Sequence, residues 1–237
     1  MPRSHSLVIA LRPPCATFAA LRASFLAIPL ACFVALFSRA AAGEVVFKLT
    51  DAKGAPVADA VVSLVPLDAP AKLTPPETPV EIAQLDKEFQ SLVTPLVVGS
   101  TVNFPNNDRD VAHQVYSQSE VKKFALPLYK PGRSGAMVFD HPGVVVIGCN
   151  IHAWMLAYVV VLETPWFAKS GADGTATITR APPGRYRAEV WHPTLKKNET
   201  REITVTDGAS PALAFSLAAK PIPRIRRTPG ASGGGYK

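Results

Sequence analysis

The sequence predicts an all-β protein, and two observations carry that expectation. Proline is frequent, 23 in 237 residues, and is spread along the whole chain with β-branched residues between. Each proline removes a backbone donor and clashes inside a helix, whereas short strands and turns accommodate it. In addition, no apolar run reaches 18 residues in a chain that is 48% apolar and 18% charged. That balance fits a globular protein and excludes disorder, collagen and a helical membrane bundle.

The first element, Met1 to Ala42, is set apart from the rest. It carries Arg3, Arg12 and Arg22, an apolar stretch from Ala23 to Phe37, and Ala40-Ala41-Ala42 before Gly43. This order of basic, apolar and small residues reads as a cleaved secretory signal, residues 1–42. The apolar part is about fifteen residues, short of a bilayer span at ~1.5 Å per residue. The expectation is a periplasmic protein with no integral membrane span after processing. A retained anchor is the alternative; a lipid anchor at Cys32 is disfavoured because Pro29-Leu30-Ala31 is a poor lipobox.

Four arginines and no acid leave with residues 1–42, taking the formal charge from +7 to +3. Lys220, Arg224, Arg226, Arg227 and Lys237 then account for the remaining excess, so the body between is near −2. Residues 220–237 read as a flexible basic tail, solvated or steering the protein toward an acidic partner. Nothing in the pattern suggests nucleic acid.

From Glu44, Val45, Phe47 and Leu49 alternate with polar residues, Asp51 to Gly54 turns the chain, and Val57 to Val65 resumes it, giving two strands. Asp68 to Pro79 holds four prolines among small residues and marks a boundary. Beyond it, strands are expected near 96–104, 111–118, 121–126, 136–140, 144–149 and 156–163, with turns at Asn106-Asn107-Asp108, Lys130-Pro131-Gly132 and His141-Pro142-Gly143. Ile82, Leu85, Phe89 and Val93 recur at helical spacing, so residues 81–93 are ambiguous, with strands favoured. Strands near 175–180, 186–190, 201–206 and 212–217 complete a second small sandwich.

Cysteine supplies the sharpest clue. Cys15 and Cys32 leave with the signal and Cys149 alone remains, so it is either buried and inert or a metal ligand. Cys149, His152 and Met155 follow one another at intervals of three between the apolar strands Val144–Ile147 and Leu156–Leu162. A thiolate, an imidazole and a thioether on one loop select copper, and a copper site that changes oxidation state easily wants two histidines, one cysteine and a long methionine contact. Of His113, His141 and His192, only His113 lies in a suitable loop. His141 beside Pro142 reads as a turn residue and His192 before Pro193 as a strand end.

Residues Val102-Asn103-Phe104-Pro105-Asn106-Asn107-Asp108, then His113-Gln114-Val115-Tyr116, Phe139 to Gly143, and Cys149, His152 and Met155 resemble the cupredoxins, most closely the amicyanin and plastocyanin type and the proteins labelled methylamine utilisation proteins. The resemblance covers residues 80–163. It implies a Greek-key sandwich holding one type 1 copper through His113, Cys149, His152 and Met155, with His113 buried and His152 facing solvent, and a redox partner such as a c-type cytochrome or an amine dehydrogenase. Gln114 departs from the Asn or Ser usual after the first histidine. Residues 44–67 and 165–219, through Gly54 to Leu64, Asp173 to Ile178 and Pro182 to Val190, resemble two halves of a transthyretin-like, carboxypeptidase-regulatory-like domain. The copper domain is then expected as an insertion in it.

A non-enzymatic electron carrier is the function expected. A multicopper oxidase or nitrite reductase would need a further histidine cluster, and binuclear copper or covalent haem would need more cysteines. Cysteine hydrolase chemistry would want an independent histidine. The alternative is a periplasmic copper carrier or assembly protein without electron transfer.

Overall fold

The computed structural model describes residues 43–208 and 212–222, in strands, turns and connecting segments without a helix. The candidate signal, residues 1–42, and the tail from residue 223 lie outside the described residues. Among the described residues, no helix is long and apolar enough to cross a membrane.

β1 (Gly43–Asp51) buries Val45, Phe47 and Leu49, the period of two that a half-buried strand imposes. The Asp51 carboxylate then accepts hydrogen bonds from the amides of Lys53 and Ala55 at 2.8 and 2.9 Å, and Gly54 supplies the φ of 84° that closes the turn. β2 (Val61–Pro66) starts at Val61 rather than Val57, because Asp59 takes a φ of 59° and interrupts the extended chain.

The ambiguous stretch resolves into β3 (Val80–Glu81), β4 (Gln84–Leu85) and β5 (Glu88–Phe89). Ile82, Phe89 and Val93 are buried but Leu85 is exposed, so their helical spacing does not make one face. Asp86 and Lys87, with φ of 54° and 58°, join β4 to β5 in the two-residue turn whose twist suits a hairpin.

β6 (Val93–Val97), β7 (Ser100–Pro105), β8 (Tyr116–Ser119), β9 (Lys122–Ala125), β10 (Ser134–Phe139), β11 (Gly143–Gly148) and β12 (Leu156–Leu162) follow. The single strand expected over 96–104 is two strands in different sheets: β6 runs parallel to β12, and β7 pairs antiparallel with β10. The chain changes sheets at Gly99, where φ is 88° and the amide donates to the Phe139 carbonyl at 2.7 Å. Pro95 is tolerated because β6 is an edge strand. The sheets β10-β7-β3 and β6-β12-β11-β8-β9 bury Val102, Phe104, Phe139, Val145, Ile147 and Val159 in one core.

β13 (Phe167–Lys169), β14 (Thr175–Ala181), β15 (Gly184–Trp191), β16 (Glu199–Val205) and β17 (Leu213–Leu217) return to the two strands that opened the chain. β1 lies between β14 and β17, and β2 between β13 and β15. Phe47, Leu64, Ile178, Val190 and Phe215 share their core. Strands on either side of residues 80–162 therefore build one sandwich, and strands within build another. A small apolar seam joins them, with Val61, Leu92, Val93 and Val160 buried and the rings of Tyr158 and Trp191 5.7 Å apart.

His192, at the end of β15, is buried, and its Nδ1 accepts the Thr194 amide at 3.3 Å. Burial holds this imidazole below its ordinary value against the smaller opposing pull of Asp59, itself 3.4 Å from Lys169. The unfolded chain thus takes up the proton first, and stability falls as pH drops below about 6.5 toward the folded-state value. Denaturant melts at pH 7.5 and 5.5 are expected to show a smaller loss for His192→Gln than for the wild type; equal losses would remove His192 as a cause.

Candidate metal centre

β11 ends at Gly148 and β12 begins at Leu156, so the seven residues between are anchored at both ends by paired strands. Cys149, His152 and Met155 are all buried on this loop, at 2%, 7% and 3% exposure, and the Met155 amide donates to the His152 carbonyl at 3.0 Å. Gly148 pairs with Tyr116, and a Cβ there would sit 3.1 Å from the Tyr116 ring. Glycine lets that ring lie flat against the strand at the threshold of the loop.

His113 comes from a different loop. The strand expected to begin at residue 111 starts only at Tyr116, because Asn106 folds the preceding segment back on itself. Its amide group donates to the Val111 carbonyl at 2.8 Å and its carbonyl oxygen accepts the Asp108 amide at 3.1 Å. His113 and Tyr129 exchange backbone hydrogen bonds at 3.0 and 2.9 Å, which fixes the fully buried imidazole over the Cys149 loop.

The Nδ1 atoms of His113 and His152 lie 3.7 and 3.9 Å from Cys149 Sγ, and the three donor atoms all fall within 4.8 Å of one another. A metal at ordinary bond lengths, about 2.0 Å to nitrogen and 2.3 Å to sulfur, spaces these atoms about 3.5 Å apart at a tetrahedral angle and about 3.7 Å at a trigonal one. The residues fit a single ion, and a His₂Cys set near trigonal spacing is the arrangement that suits copper. Met155 is buried in the same core as Cys149. His141 is exposed beside Asp140, and His192 belongs to the other sandwich; neither joins the cluster.

Burial pushes the Cys149 thiol up, but hydrogen bonding from His113 and from the amides of Gln114, Ile151 and His152 outweighs it and lowers the thiol overall. For His113, burial is likewise outweighed by Cys149 and Asp108, and the imidazole is raised. His152 is lowered by burial and by the positive charges of His113 and Lys87. The protein alone therefore draws Cys149 toward thiolate and His152 toward neutral imidazole, while His113 is drawn toward its protonated form, whose proton a bound metal would displace.

His152 was expected to face solvent and is instead nearly enclosed; the Trp154 ring packs 5.2 Å from it. Gln114 braces both loops: its amide donates to the Leu126 carbonyl and its oxygen accepts from Asn150, each at 2.9 Å. Sequence reasoning missed Asp108 as a site residue, although its carboxylate lies 2.6 Å from His113 Nε2. The only hint was an acid five positions before the histidine, read as part of a turn.

No family model and no curated protein matches the chain. Among solved structures, it is similar to a novel purple cupredoxin from Nitrosopumilus maritimus, at 24% identity over 35% of this chain and 99% of that one, with a TM-score of 0.33. A reduced mutant of amicyanin matches at 20% identity over 43% of this chain and 98% of its own, with a TM-score of 0.34. A copper-containing nitrite reductase from Thermus scotoductus matches at 27% identity over 41% of this chain but 25% of its own, with a TM-score of 0.35.

Proposed function

We propose that this protein is a periplasmic cupredoxin that carries single electrons between redox partners and catalyses no reaction of its own. The observation that carries the reading is the pair of imidazole Nδ1 atoms, from two separate loops, at 3.7 and 3.9 Å from one buried thiol. His113, Cys149 and His152, with the neighbouring thioether of Met155, would hold one type 1 copper. Bound copper would supply a centre that accepts and releases one electron.

The chain's own contribution is rigidity and exclusion of water. Cys149 and His152 sit on a loop tied to two paired strands, and His113 is held to Tyr129 on both sides of its peptide. Ligands held in one arrangement cannot relax toward the different geometries that the two oxidation states would otherwise prefer, which keeps reorganisation small. Residues 80–163 would be the copper domain, inserted between the halves of a carboxypeptidase-regulatory-like sandwich formed by 44–67 and 165–219. The partner would be a redox protein such as a c-type cytochrome or an amine dehydrogenase.

The test is the visible and electron paramagnetic resonance spectrum of the copper-loaded protein. Intense thiolate-to-copper absorption with narrow hyperfine splitting is the expected result. A colourless protein that binds only Cu(I) and yields it to a chelator would replace electron transfer by copper delivery.

A further inference from the structure

The turn between β4 and β5 touches both imidazoles through intermediaries, and nothing in the ligand set itself requires this. One oxygen of Asp108, Oδ2, accepts from His113 Nε2 at 2.6 Å and from the Lys87 amide at 3.2 Å. The carbonyl of the same Lys87 accepts from the Trp154 indole nitrogen at 2.9 Å, and the Trp154 ring lies 5.2 Å from the ring of His152. The path His113, Asp108, Lys87, Trp154, His152 is thus continuous, and the two imidazoles close it, with ring centroids 5.0 Å apart.

The turn is itself firmly placed. Asp86 and Lys87 both take the positive φ that a two-residue hairpin turn requires, which fixes the direction of the Lys87 peptide. The Asn107 amide donates to the Gln84 carbonyl at 2.8 Å, the Gln90 side chain to the Leu85 carbonyl at 2.8 Å, and the Gln90 amide to the Ala83 carbonyl at 2.9 Å. Asp108 is almost fully enclosed against a fully buried His113.

Resting on the copper reading above, we infer that the Asp86–Lys87 turn is a clasp that positions both histidines, with Asp108 as the positioning residue on one side and Trp154 on the other. Asp108 keeps the proton of His113 on Nε2 and the ring in one rotamer, which leaves Nδ1 as the metal-facing donor. Trp154 fixes the plane of His152 in the same way, by a ring held through its own hydrogen bond. Because both histidines are tied to one rigid turn, their separation does not depend on the metal that lies between them.

The experiment compares full-length, copper-loaded wild type with Asp108→Ala, Asp108→Asn and Trp154→Phe. Copper transfer to a chelator, hyperfine splitting and the His113 Nε2 proton signal of the Cu(I) form are read in each. Asp108→Ala is expected to lose copper about 10- to 100-fold more readily and to shift the hyperfine splitting. Asp108→Asn keeps an oxygen that can accept both hydrogen bonds and is expected to retain most of the affinity. Trp154→Phe keeps the ring but not the donor, and its loss is expected at about fivefold, the scale of one neutral hydrogen bond.

Unchanged retention and splitting in Asp108→Ala, or in Trp154→Phe, would overturn the clasp. So would an Asp108→Asn protein as impaired as Asp108→Ala, since charge rather than position would then be what matters. A blue wild type with silent variants overturns the clasp alone. A wild type without the thiolate-to-copper band overturns the copper reading and the clasp with it. Asp108→Asn and Trp154→Phe keep the test decisive if Asp108→Ala fails to fold.

Discussion

Replacing Cys149 by serine is expected to abolish the thiolate-to-copper absorption and nearly all of the stability that copper confers. A ligand that binds only the folded state stabilises it by about 4 kcal/mol at a thousandfold excess over its dissociation constant. For a chain of this length that amounts to roughly 10 °C in melting temperature. Serine supplies an oxygen that stays protonated at neutral pH and cannot replace the soft thiolate, so the remaining imidazoles should hold copper weakly and without colour. The metal-free fold should survive the change. The hydroxyl can accept the same amides, from Gln114, Ile151 and His152, that now face Sγ. Calorimetry with and without copper, beside the visible spectrum, checks both parts. A serine variant that keeps either the colour or the copper-induced rise in melting temperature would remove Cys149 from the site.

The contrast between the ligand residues and their supports explains what the sequence made legible. Cys149, His152 and Met155 stand out because a loop between two strands that is to hold a metal, as proposed, must carry its donors at short, fixed intervals. His113 could be chosen among three candidates because its neighbours are turn formers leading into a strand. Asp108 and Trp154 carry no such mark. Their roles arise from the hairpin at residues 84–89, which is brought against the 106–113 loop only by tertiary pairing. The enclosure of His152 was missed for the same reason: an aromatic residue two positions away reads equally well as a packing residue or an exposed one, and only the loop's path decides.

At the level of the fold, alternation identified the half-buried strands well, as at Val45, Phe47 and Leu49. It failed where the backbone breaks pattern for local reasons. Gly99 moves the chain from one sheet to another inside an apolar run, Asp59 delays β2, and the loop before Tyr116 shortens the strand after His113. Periodicity left residues 81–93 ambiguous, with strands favoured and found, because two-residue strands are too short for either period to register. Long-range pairing is the least legible layer to alternation and turn chemistry. Only the resemblance of residues 54–64 to one half of a domain pointed to partners more than a hundred residues onward.

That long-range pairing makes the second strong prediction. Phe47 is fully buried in β1, the central strand of the β14-β1-β17 sheet, and its ring lies 6.1 Å from that of Phe215. Truncation to alanine removes the ring and leaves a cavity, at a cost of about 3–5 kcal/mol, or roughly 10 °C for a chain of this size. The damage should be local in space but remote in sequence, because β14 and β17 rely on β1 for their backbone hydrogen bonds. A small seam around Val61, Leu92, Val93 and Val160, with the Lys169 ammonium donating to the Val93 carbonyl at 2.9 Å, couples this sandwich to the other. Hydrogen exchange on Phe47→Ala is therefore expected to show protection falling in residues 175–181 and 213–217 while β11 and β12 stay protected. The metal loop they hold should keep its copper. Equal loss of protection in β11 and β12 would mean that the two sandwiches unfold as one unit, and that the metal loop depends on the flanking core as much as on its own.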